Sequence, residues 1–163
     1  MRCLLVLIGF LLSFTPAFAD PSIIGYWLTQ DRDGVIAVTR CDNNMLCGRI
    51  VGFFLDRPGD ATPVDYRGVS QCHLALFADV RQVRPNLWKG HITDPRNGSV
   101  YGVELSLQRN GTLALRGFLG IPLLGRTQTW TRYDGRVPAD CRIVAPPDAS
   151  APNVSVMRGG ADR

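Results

Sequence analysis

This chain of 163 residues has little beyond aspartate for acid-base work: one glutamate, Glu104, one lysine, Lys89, and two histidines, His73 and His91. No HExxH pair, phosphate-binding glycine loop or nucleophile elbow is present, and no CxxC pair. The commonest signatures of metalloproteases, nucleotide enzymes and serine hydrolases are therefore missing. Glu104 could act with Asp94, His91 or His73 only if the fold brought them within hydrogen-bond reach, and two histidines eighteen positions apart form no recognised metal-ligand spacing. We expect no metal, no cofactor and a role other than catalysis, a small enzyme with a barrel pocket being the weakest reading.

The chain also lacks a run of about 20 apolar residues, the length needed to span a bilayer. Its apolar segment, Cys3 to Phe14, is shorter, follows Arg2, and precedes the small-residue pattern Ala17-Phe18-Ala19. This predicts a signal peptide over 1–19, cleaved before Asp20, and a mature protein in the periplasm or outside the cell. Removing Cys3 leaves four cysteines, and an even number in an oxidising compartment favours two disulfides over metal ligation. Of the three connectivities we favour Cys41 to Cys47 and Cys72 to Cys141, because the first pair brackets a hairpin loop. In the chain-entropy model such bridges stabilise by at most roughly 2.4 and 4.4 kcal/mol.

Net charge is +4, and arginine supplies 17 of the 18 basic residues. They are scattered singly along the chain, whereas phosphate binding needs them clustered on one element, so no nucleic-acid partner is expected.

What the sequence does contain is the makings of one all-β domain. With 45% hydrophobic residues the chain is long enough for one core. Short β-branched, aromatic and leucine runs recur between turn signals, without a sustained helical period. They predict strands at Ile24 to Thr29, Val35 to Arg40, Gly48 to Leu55, within Cys72 to Val83, Asn86 to Thr93, Val100 to Gln108, Thr112 to Leu119 and Arg126 to Tyr133. Asp33-Gly34, Asn97-Gly98 and Asn110-Gly111 fall between them, and such dipeptides suit tight hairpins because both residues tolerate positive φ. The domain is expected to span 20–141. Residues 56–70 form its longest irregular stretch, where a binding loop would sit. Beyond Cys141 the composition turns to Ala, Pro, Ser and Asp, which predicts a disordered tail over 142–163.

About eight antiparallel strands in one small domain bury their edges by closing up or by packing as two sheets. Two distant motifs favour closure. Gly25-Tyr26-Trp27 near the start and Trp130-Thr131-Arg132 on the last strand resemble the calycin group, lipocalins and their relatives. There a Gly-x-Trp on the first strand packs beneath an arginine from the last and plugs one end of the barrel. The resemblance gives Gly25, Trp27 and Arg132 this closing role, with Arg132 over the Trp27 ring. A closer resemblance covers about residues 23–133. "GYW", "LCGRIVGF", "WKGHITDPRNGSVYGVELSL" and "LRGFLGIPLLGRTQTWTR" look like the secreted bacterial proteins grouped as domain-of-unknown-function family 2147. That family has no assigned catalytic residues. It usually carries an Asp, Asn-Pro and Leu-Arg segment where residues 60–72 here read "DATPVDYRGVSQC", so the resemblance gives the middle loop no role.

The expected fold is an up-and-down antiparallel β-barrel of about eight strands, calycin-like, and its expected function is binding of a small apolar or amphipathic molecule. Trp88, Tyr101, Arg116, Phe118, Arg126 and Trp130 are the residues expected at its pocket or rim. On the last strand Arg126, Gln128, Trp130 and Arg132 share one face and Thr127, Thr129 and Thr131 the other, and the sequence leaves open which face is inward. The alternative is an envelope interaction protein that docks through the apolar stretch Phe118 to Leu124.

Overall fold

The computed structural model describes residues 22–144; the expected signal peptide, and the expected tail from residue 145 on, lie outside them. Nine strands form in chain order: β1 (Gly25–Leu28), β2 (Gly34–Arg40), β3 (Leu46–Leu55), β4 (Ala75–Arg84), β5 (Leu87–Thr93), β6 (Val100–Leu107), β7 (Leu113–Phe118), β8 (Arg126–Arg132) and β9 (Arg142–Val144). Each of the first eight pairs antiparallel with its sequence neighbours, and β1 pairs with β8 through Trp27–Arg132 and Leu28–Thr131, so they close into a barrel.

The ninth strand falls on the first three residues of the segment expected to be a tail. It runs parallel to β3, Phe53 to Leu55 facing Arg142 to Val144. β4 covers β3 only from Leu46 to Arg49, so β9 supplies hydrogen-bonding partners that β3 would otherwise lack. The Cys72–Cys141 disulfide fastens this arrangement just before β4 and β9 begin, and Cys41–Cys47 closes the turn between β2 and β3.

Alternation places the core. On β6 Val103, Leu105 and Leu107 are buried, and on β7 Leu113 and Leu115, all inside the barrel with Trp27, Val38, Leu46 and Val80. β2 does not alternate: Gly34 to Val38 are buried on both faces. Leu28, Val35, Ala37 and Val51 form a second cluster on the outer face, covered by Tyr133, Val137 and Ile143 of the returning C-terminal segment. A strand covered on both sides reads as a continuous apolar run.

The Gly-x-Trp motif has a physical cause. Gly25 has φ +137°, and a Cβ there would lie 2.5 Å from Arg132 Nη1. Only glycine gives both that backbone conformation and the room for the arginine.

Candidate functional site

The connections 29–33, 56–74, 94–99 and 119–125 gather at one end of the barrel, while the start of β1 and the end of β8 lie at the other. The second end is shut. Trp27 is fully buried and donates from Nε1 to the Ile23 carbonyl at 2.9 Å. The Arg132 guanidinium lies 3.9 Å from the Trp27 ring centroid and donates from Nη1 to the Ile24 carbonyl at 2.9 Å. Burial lowers its pKa against the opposing pull of Asp134. Stacking on an aromatic face suits the weakly hydrated guanidinium.

The first end opens into a cavity of about 480 Å³, within the range of small-molecule sites. Its wall is apolar, from Ile36, Ile50, Phe53, Leu76, Ile92 and Leu115. The inward side chains of β8 descend from Arg126 at the mouth through Gln128 and Trp130 to Arg132 at the floor. The Arg/Gln/Trp/Arg face is thus the inner one. Trp130 donates from Nε1 to Gln128 Oε1 at 2.9 Å, which satisfies the indole inside the barrel.

The middle loop folds over this mouth. Asp65 accepts from the backbone of Arg67 and Val69 and from the Arg67 guanidinium. Tyr66 donates from its backbone to the Pro95 carbonyl, and its ring fills the space above Gly98. Pro63 and Gln71 of the loop thereby join the lining, together with Thr29, Asp31, Asp33, Asp94 and Arg96 from the neighbouring turns. Asp94 is gripped by Arg96, with Nε to Oδ1 at 3.0 Å and Nη2 to Oδ2 at 2.8 Å. These bonds hold the Asp94 carboxyl below its ordinary pKa although partial burial opposes them.

Of the six residues expected at the pocket, Tyr101 and Trp130 line the cavity. Trp88 is also inward, but it packs against the interior core beside Leu105, towards the shut end. Arg126 stands exposed at the mouth. Arg116 and Phe118 sit on the outer face of β7, the parity opposite to buried Leu113 and Leu115. Arg116 donates from Nε to the Pro122 carbonyl at 2.6 Å and from Nη2 to the Leu123 carbonyl at 3.1 Å, fixing the β7–β8 loop; Phe118 covers Gly102.

The possible acid-base residues stay apart. Glu104 pairs with Lys89 at 2.6 Å and His91 with Asp79 at 2.7 Å, both on the outer surface. His73 lies against the Ala139 carbonyl beside the Cys72–Cys141 bridge, whose sulfurs are committed to each other.

Residues 25–132 match the family described as "Uncharacterized protein conserved in bacteria (DUF2147)". The chain belongs to this family. The DUF2147 match thus runs from the glycine of the plug to its arginine. Among solved structures the chain is similar to one described as "Protein HP1028 from the human pathogen Helicobacter pylori belongs to the lipocalin family". Identity is 18% and the TM-score 0.59, over 71% of this chain and 85% of that one. At that identity the likeness is one of fold, a lipocalin-like barrel. No curated protein matches the chain.

Proposed function

We propose that this DUF2147 protein is exported, with residues 1–19 as its signal, and binds a small apolar or amphipathic molecule in the mouth of its barrel. The observation that carries the reading is the 480 Å³ cavity, apolar in its depth and polar at its rim, in a barrel shut at the other end. Such a site removes a hydrocarbon body from water, at roughly 25 cal/mol per Å² buried, and leaves the head group wet. The two disulfides and the signal-like start support an oxidising compartment.

Native mass spectrometry of protein purified gently from its own cells, followed by denaturing extraction, tests the reading. A discrete bound molecule is expected, absent from Ile92→Trp, which fills the cavity. A clean ligand-free mass for both proteins counts against it.

The loop between β7 and β8 favours a second reading, an envelope docking protein. Leu123 and Leu124 are 80% and 77% exposed, with Leu119 and Ile121 beside them, on a loop pinned by Arg116. Ordered aliphatic side chains held in water are unusual without a partner surface, here a protein or lipid of the cell envelope. If the paired change Ile121→Ala and Leu124→Ala leaves envelope association unaltered, this reading is lost.

A further inference from the structure

The rim of the cavity differs in charge from the chain that builds it. Asp31, Asp33 and Asp94 line the cavity against Arg96, so the lining carries −2 in a chain of +4, and −1 when Arg126, exposed at the mouth, is counted with it. Arg96 is not free for an incoming anion, because Asp94 already occupies its fork. Gln71 adds an acceptor. It is 6% exposed, its Nε2 donates to the Val64 carbonyl at 2.8 Å, and among the described residues nothing donates to its Oε1. Gln128, whose Oε1 accepts from Trp130, contributes a neutral donor and no charge.

Resting on the ligand-binding reading above, we infer that the preferred ligand is an amphiphile with a cationic head, an amine or quaternary ammonium, rather than a fatty-acid-type anion. The hydrocarbon body occupies the wall from Ile36 to Leu115 and the head sits among Asp31, Asp33 and the Gln71 oxygen. A carboxylate head in the same place would meet two carboxylates and would have to draw Arg96 from Asp94. A cation meets like-signed repulsion from Arg96, which Asp94 neutralises, and from Arg126, which is exposed to water at the mouth and lies outside the cavity lining. Low-dielectric walls focus such a field at the mouth, and salt screens it within about 8 Å at physiological ionic strength. The preference therefore falls as salt is added.

The test titrates the purified protein with decyltrimethylammonium, decanoate and decanol, read as the change in tryptophan fluorescence that is lost in Trp130→Phe, Trp130 being the tryptophan that lines the cavity. The cation should bind at least about tenfold more tightly than the anion at low salt, with decanol between them. Asp31→Lys, in an exposed turn and checked by its melting curve, should remove most of that ratio and leave decanol unchanged. Equal binding of all three, tighter binding of decanoate, or a ratio untouched by Asp31→Lys overturns the cationic-head inference while leaving the barrel as a binding site. Failure of all three to bind overturns both.

Discussion

The two ends of the barrel are built on opposite terms. At the shut end Trp27 and Arg132 are packed face to face, and both the indole and the guanidinium have backbone carbonyls as partners. At the open end Asp31 and Asp33 stand in an exposed turn, Gln71 keeps an acceptor unmatched, and the apolar wall encloses space instead of side chains. Stability is concentrated where the core is full, and open space lies where filling stops. Substitutions at the shut end should therefore move the folding equilibrium, and those at the open end should move occupancy with little effect on folding.

The strongest challenge to that contrast is Trp27→Ala, which removes the whole plug. It should cost about 3 to 5 kcal/mol, seen as a large drop in the urea midpoint. If it behaved like a surface change, the shut end would not be the stability centre. Breaking the strap with Cys72→Ala and Cys141→Ala together should cost about 2 to 4 kcal/mol by the same measurement, since the bridge closes a long loop. Arg132→Lys keeps the charge and loses the planar stack and fork, so roughly 1 to 2 kcal/mol is expected. At the other end Ile92→Trp should shift the midpoint by less than about 1 kcal/mol yet abolish ligand occupancy. The smallest effect is expected for Asp94→Asn. Arg96 lowers the Asp94 pKa in the folded state, so the carboxylate's contribution is present near neutral pH and is lost as pH falls through that lowered value. The variant should be less stable than the parent by under about 1 kcal/mol at pH 7, and the gap should close as the pH falls through the lowered Asp94 pKa.

The barrel itself was legible because most of its strands alternate and three of its hairpins carry Asn-Gly or Asp-Gly. The eight expected strands correspond to β1–β8, and the Gly25, Trp27 and Arg132 arrangement is as the motif implies. The cavity lining was much less legible, because it depends on pairing register and on the connections at one end rather than on any local run. Parity could have helped. Leu113 and Leu115 mark the inner face of β7 and so place Arg116 and Phe118 outside, just as Val103 and Leu105 place Tyr101 inside. The rim acids come from turns, where alternation says nothing. β9 was hidden by its length of three residues, although the unbroken Val35-Ile36-Ala37-Val38 run already signalled that something covers the outside of β2.

Trp27 and Arg132 are at once the plug and a registered pair of the β1–β8 seam. They come from opposite ends of the domain's chain, so neither partner can be placed early from local sequence. The ring therefore cannot be joined first and plugged later; joining and plugging are the same event, and it waits for the last strand to arrive. Pairing of such high contact order sets a slow clock, milliseconds to seconds for domains of this kind. Throughout that interval β1 is without the strand that completes it.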